Sequence, residues 1–222
     1  MLPSHSRPAV PKPSAAARRS SGWFLTFEGP EGAGKTTQIA RLADALTARG
    51  QSVTRTREPG GDAVGERVRD LLLHGTVVNE AELLLFAAAR AQNVAGVVRP
   101  ALEAGHVVLC DRYTDSTLAY QGAGRGLPLD LIARINAFAT GGLVPDRTFL
   151  LDLPPSVGLA RQRPGDRNRL DREALDFHER VRRGFLDIAA REPSRILVLD
   201  AARPADEVAE RLLSAVLERL NK

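Results

Sequence analysis

Gly29-Pro-Glu-Gly-Ala-Gly34-Lys35-Thr36 decides how the rest of the chain is read. It fits the pattern G-x-x-x-x-G-K-[ST] at every fixed position, and its surroundings fit as well. An apolar run, Trp23 to Phe27, enters it through Glu28, and an amphipathic pattern leaves it from Thr37. Glycines let backbone N–H groups turn inward around phosphate oxygens, and the helix that follows aims the positive end of its dipole at the same charge. Lys35 is then placed to reach the β- and γ-phosphates of a nucleoside triphosphate, and the Thr36 hydroxyl to ligate Mg²⁺. A chance glycine-rich turn would have neither the strand before it nor the helix after it.

Working outward, four more short β-prone runs follow: Ser52 to Arg57, His106 to Asp111, Arg147 to Leu153 and Arg195 to Leu199. Each is nearly continuously apolar at its centre, as strands buried on both faces of a parallel sheet are. Helical patterns separate them, at about 35–49, 62–73, 80–104, 116–120, 129–139, 155–162, 172–190 and 204–220. Strands alternating with helices imply right-handed βαβ units and a three-layer α/β domain. Val107-Val-Leu-Cys-Asp111 reads as a strand ending in the acidic residue that accompanies such loops. Asp111 falls at the carboxyl end of its strand, where α/β sheets hold ligands.

The 222 residues are enough for one domain with a real core. The formal net charge of +4 sits in the first 22 residues, where Arg7, Lys12, Arg18 and Arg19 have no acidic neighbour. A neutral remainder argues against nucleic acid as a partner. That basic Pro-, Ser- and Ala-rich stretch has too few large apolar residues to offset its ordering entropy, so residues 1–22 are expected to be a disordered extension, with an organelle-targeting segment or a nucleic-acid arm as alternatives, and residues 23–222 the domain. The only lysines are Lys12, Lys35 and Lys222, which makes Lys35 conspicuous. Cys110 is the single cysteine, and a reducing cytoplasm is the expected compartment. No apolar run approaches the length of a membrane span.

Arginines gather at or after strand ends: Arg57 in Arg57-Glu-Pro-Gly-Gly61, Arg90 at the end of Phe86 to Arg90, and Arg112 directly after Asp111. Each alone could be a solvated strand end, a surface helix residue or an ion-pair partner. Together they imply a second phosphorylated ligand beside the first, because the guanidinium fork suits phosphate oxygens. A fourth group, Arg161, Arg163, Arg167 and Arg169, lies in a turn-rich segment at about 161–171. Such a segment reads as a solvated loop, or in a phosphoryl-transfer enzyme as a lid that neutralises charge and excludes water.

Phe27 to Thr37, Thr56 to Gly61, Leu85 to Gln92, Asp111 to Gln121 and Pro145 to Asp152, taken in order, resemble the motifs of the thymidylate kinase family. The resemblance runs from about residue 23 to the C-terminus. It implies a three-layer α/β P-loop NTPase fold with a five-stranded parallel sheet flanked by helices and a short lid. It also implies transfer of a phosphoryl group from ATP to dTMP with Mg²⁺, held by Thr36 and Asp111, in a homodimer whose face the apolar helix around 81–98 could supply. Gly29, Pro30, Glu31, Gly32, Ala33, Gly34, Lys35, Thr36 and Thr37 would bind ATP. Phe86 would stack on thymine, Arg57, Arg90 and Arg112 would hold the monophosphate, and Thr117 and Gln121 would hydrogen-bond the base. Tyr120 would pack near C2′ of the sugar, with Glu58, Pro59 and Ser116 also on the acceptor side. An acidic Glu31 in the loop together with Arg161, Arg163, Arg167 and Arg169 in the lid resembles the bacterial style of the family. Lys35, Glu31, Arg112 and these lid arginines are therefore the catalytic candidates. Thr117 stands where some relatives have Asn, and its hydroxyl cannot mimic both halves of an amide.

Two other functions compete. A related nucleotide kinase would need a different base-reading set in place of Phe86, Thr117 and Gln121. A nucleotide-dependent partition ATPase would predict slow, nucleic-acid-stimulated hydrolysis, against which the neutral domain and the arginine-rich acceptor motifs argue.

Overall fold

The computed structural model describes residues 22–162, 165 and 168–220. Five parallel strands, β1 (Trp23–Glu28), β2 (Val53–Arg57), β3 (Val107–Asp111), β4 (Arg147–Asp152) and β5 (Ile196–Asp200), pair in the order β2-β3-β1-β4-β5. All five lie where the apolar runs predict them. Side chains alternate between two cores, as a doubly covered sheet requires. Leu25 and Phe27 join Leu42, Leu46 and Phe149 on one face, while Phe24 joins Val98, Val108 and Tyr113 on the other.

Helices α1 (Lys35–Thr47) and α9 (Ala205–Leu220) pack together against the first core, through Ile39, Leu42, Leu212 and Val216. On the other side lie α3 (Asn79–Asn93), α4 (Arg99–Glu103) and α8 (Leu175–Arg191), the last burying Phe177, Val181 and Phe185. α2 (Ala63–His74) packs on α3, and α5 (Thr114–Thr117), α6 (Leu129–Thr140) and α7 (Pro155–Arg161) complete the layers.

Two π-helical segments, Val94–Val98 and Leu118–Gly124, are not foreseen by a 3.6-residue period. The second carries Tyr120 and Gln121 and prolongs α5 well beyond the short helix expected at 116–120. Such segments concentrate at functional sites because they shift the register of the side chains they carry. The first joins α3 to α4, so that Asn79–Glu103 is one helix of 25 residues, with a mean hydropathy of 1.2 over its most apolar 18. By length and composition it meets the criterion for a membrane span, contrary to the sequence expectation. The reason is that its few charges are spaced widely enough to leave an apolar window. Three of its polar residues, Glu82, Arg90 and Asn93, are buried against protein partners.

The topology sets the site. From β1 the chain passes to β2, β3 then inserts between them, and β4 and β5 extend the opposite side. The carboxyl ends of β1 and β3 therefore lie adjacent, with Phe27 opposite Asp111, at the crevice where such sheets place ligands.

Candidate active site

The loop between β1 and α1 takes backbone conformations with positive φ at Gly29, Gly32 and Gly34. At Gly32 a Cβ would lie 2.1 Å from the Gly158 carbonyl, and at Gly158 one would lie 2.1 Å from the carbonyl of Glu31. Two glycines thus let the phosphate loop rest directly on α7. α1 begins at Gly34 without a side-chain cap, leaving its first-turn amides for an anion. Lys35 Nζ donates to the carbonyls of Gly29 (3.0 Å) and Pro30 (2.9 Å), so its ammonium lies across the loop mouth. Burial and the neighbouring Arg112 push its pKa down to about 8.

Thr36 Oγ1 donates to Asp111 Oδ2 at 3.1 Å. A hydroxyl and a carboxylate side by side at the loop are the hard oxygen donors that suit Mg²⁺, which takes few protein ligands and keeps several waters.

Arg112 joins the two halves of the site. It is the one non-glycine residue with positive φ (69°) among the described residues, a conformation that costs free energy and persists where the surroundings enforce it. Its Nη1 donates to the Gly29 carbonyl (3.1 Å) and Ser116 Oγ (3.2 Å), its Nη2 to Glu31 Oε1 (2.9 Å), and its guanidinium lies 4.9 Å from the Tyr120 ring centroid. Tyr120 Oη in turn reaches both Glu31 oxygens, at 2.6 and 2.7 Å. Burial alone would raise the Glu31 pKa, but Arg112 and Lys35 with the Tyr120 hydroxyl hold it below the ordinary value. Glu31 is therefore an ionised clamp on Arg112 and Tyr120.

A cleft of about 770 Å³ runs from this loop past Arg57, Glu58, Pro59 and Phe86 to Ser116, Thr117, Tyr120 and Gln121. It brings together the expected acceptor residues. Arg57 is half-exposed and paired with Glu66 at 2.8 Å. Arg90 lines the same cleft while almost wholly buried, and three of its five N–H groups bond Glu58, Asn136 and the Tyr113 carbonyl. Thr117 Oγ1 is buried with no hydrogen-bond partner among the described residues. Thr117 lines the cleft, and a buried hydroxyl without a protein partner is one that a ligand atom can satisfy.

The lid candidates divide. Arg161 reaches the phosphate loop, donating to the carbonyls of Gly32 (3.4 Å) and Ala201 (3.2 Å). Arg169 does not line the cleft. It is drawn into the protein by the carbonyl of Leu72 (3.1 Å) and by Glu82 Oε2 (2.5 Å). Arg163 and Arg167 lie outside the described residues. Gln162, Asn168, Leu170 and Asp171, from the same segment, form part of the cleft rim.

Several site residues escape sequence reasoning. Glu28, at the end of β1, accepts from Ser116 Oγ (2.5 Å) and from the amides of Tyr113 (2.8 Å) and Ser116 (3.2 Å), tying α5 to the loop. Burial, then the charge of Asp115, pushes its pKa up to about 7. A charged residue closing an otherwise apolar strand was the signal for it. His178 is buried on α8 with Nδ1 3.7 Å from Glu31 Oε2, and Glu82 lies buried on α3 beneath Gln121. Neither has a local sequence signature.

Comparison with known proteins now identifies the family. The thymidylate kinase family model matches residues 27–212. Thymidylate kinase of Deinococcus radiodurans is 58% identical over 203 residues, covering 90% of this chain and 98% of the relative. That of Desulfovibrio desulfuricans is 54% identical over 206 residues, covering 87% and 94%. The crystal structure of thymidylate kinase from Ehrlichia chaffeensis superposes with a TM-score of 0.73 at 34% identity, covering 88% of this chain and 98% of that one. Since both the sequence match and the five-stranded parallel sheet extend over nearly the whole domain, the chain belongs to the thymidylate kinase family.

Proposed function

We propose a division of labour within the cleft for the reaction of this family member, the phosphorylation of dTMP with ATP as the donor. The phosphate loop from Gly29 to Thr37 holds the triphosphate, with Lys35 across the β- and γ-phosphates. Thr36 and Asp111 hold Mg²⁺, which when bound neutralises phosphate charge and fixes the donor's orientation. On the acceptor side Arg57, Arg90 and Arg112 receive the monophosphate, supported by Glu58, Pro59 and Ser116. Phe86 stacks on the base, Thr117 and Gln121 bond its edge, and Tyr120 lies against the sugar.

The chemistry asks little of a base, because the attacking phosphate oxygen is already anionic. Catalysis is alignment plus charge neutralisation. Glu31 supports it by holding Arg112 and Tyr120 in place, one atom shared by both. Residues 161–171 act as a lid, Arg161 standing nearest the loop among its described arginines, with Arg163 and Arg167 as further candidates. We read the assembly as a cytoplasmic homodimer. The half-exposed Leu84 on α3 and the exposed Phe138 on α6, helices that pack together, support an interface there, and the free buried Cys110 supports a reducing compartment.

The observation that carries the acceptor assignment is the orphaned Thr117 hydroxyl beside Gln121 and Phe86. Thr117→Val keeps the shape and removes the unpaired hydroxyl. The free protein should melt higher, relieved of a desolvation cost of about 1–3 kcal/mol. Its dTMP affinity, measured by titration calorimetry, should fall about tenfold. Unchanged dTMP affinity would remove Thr117 from the base-reading set.

A further inference from the structure

Glu82 is wholly buried on α3, and both carboxylate oxygens are taken up. Oε1 accepts from Gln121 Nε2 at 2.7 Å and from Arg125 Nε at 3.3 Å, while Oε2 accepts from Arg125 Nη2 at 3.2 Å and Arg169 Nη2 at 2.5 Å. Burial would raise its pKa, but the hydrogen bonds from Arg125, Gln121 and Arg169 hold it below the ordinary carboxylate value. An ionised carboxylate only accepts hydrogen bonds. Gln121 therefore has to turn its amide nitrogen towards Glu82, and its carbonyl oxygen is the half left for a ligand in the cleft it lines.

We propose that Glu82 is a positioning residue that sets base specificity by fixing the direction of the Gln121 amide. An acceptor facing the cleft suits a pyrimidine whose ring N3 carries a hydrogen, as in thymine and uracil. It repels one whose N3 is a lone pair, as in cytosine. Discrimination by a buried polar pair is large because the wrong partner leaves both groups unsatisfied. The carboxylate that aims Gln121 also anchors Arg169, so the base reader and the segment after α7 share one charge.

Glu82→Gln should reverse the device. Two guanidinium groups will claim the new amide oxygen, its NH₂ will face Gln121, and Gln121 will turn its own oxygen inward and present a donor to the cleft. The inference rests on dTMP being the acceptor, so wild type and variants are compared in kcat/KM for dTMP, dUMP and dCMP. The dTMP-to-dCMP ratio of E82Q should fall about 100-fold. The charge-conserving swap E82Q/Q121E puts an acceptor back at position 121, held by the NH₂ of residue 82, and should restore the ratio to within about tenfold of wild type. A purely structural Glu82 would lower activity on all three acceptors alike.

A folded E82Q with an unchanged ratio overturns the inference. If circular dichroism shows E82Q unfolded, the swap decides alone: a retained preference for dTMP supports the inference and a lost one overturns it. Wild type failing to prefer dTMP over dCMP would instead overturn the acceptor assignment itself.

Discussion

Replacing Lys35 with methionine is expected to lower kcat/KM for ATP by on the order of 10³-fold, the scale of losing a main electrostatic contact to the transferring phosphoryl group. Methionine keeps most of the length of the side chain and none of the charge. Two signatures separate this from general damage. First, Lys35 has a folded-state pKa of about 8, lowered by burial and by Arg112 from 10.5. The free enzyme therefore loses this charge as pH rises through 8, and wild-type kcat/KM for ATP should decline about tenfold per pH unit above it. Bound triphosphate restores the charged form, so kcat should hold to higher pH. Second, a lysine with a depressed pKa binds its proton less tightly folded than unfolded. Its cost to stability is in full force below pH 8 and is relieved as pH climbs to 10.5. The variant escapes that cost and should melt above wild type at neutral pH. A flat wild-type profile to pH 10 would contradict the placement of Lys35.

The second large effect is expected at Arg112. Arg112→Lys keeps one positive charge but cannot reproduce a fork that reaches the Gly29 carbonyl, Ser116 and Glu31 while lying over the Tyr120 ring. It also leaves the Glu31 carboxylate with fewer donors, so the partner of the Tyr120 hydroxyl is less firmly held. Steady-state kinetics should show kcat/KM for dTMP falling by about 10²- to 10³-fold. KM for ATP should move far less, because the proposed division of labour gives the triphosphate mainly to the loop and Lys35. Equal losses for both substrates would mean that Arg112 supports the loop without serving the acceptor.

Much of this arrangement is legible in the residues themselves, and the reason is locality. The phosphate loop is a contiguous motif whose glycines answer to backbone conformation. The strands are short apolar runs buried on both faces, so all five emerge within a residue or so of their predicted bounds. Arg112 follows Asp111 in sequence, and its position at a strand end already points to the crevice. What it holds there is not local: Glu31 is 81 residues away. The same limit hides Glu82 under Gln121, 39 residues apart, and the diversion of Arg169 to that carboxylate. An arginine-rich run shows that positive charge is available, while its buried acidic partners determine which arginines remain for a substrate. The π-helical turn at Leu118–Gly124 escapes for another reason. A pattern read at 3.6 residues per turn has no place for the wider register that Tyr120 and Gln121 follow.

The central claim, that one end of the cleft holds a triphosphate and the other reads a thymine nucleotide, is tested most directly by ADP release with ATP and Mg²⁺. The acceptors dTMP, dUMP, dCMP, dGMP and dAMP are offered separately beside a control without acceptor. Turnover should be rapid with dTMP, weaker by about 10- to 200-fold with dUMP, which lacks only a methyl group, and negligible with the others. ADP release in the control as fast as with every acceptor would contradict the account and return the phosphate loop to a hydrolase.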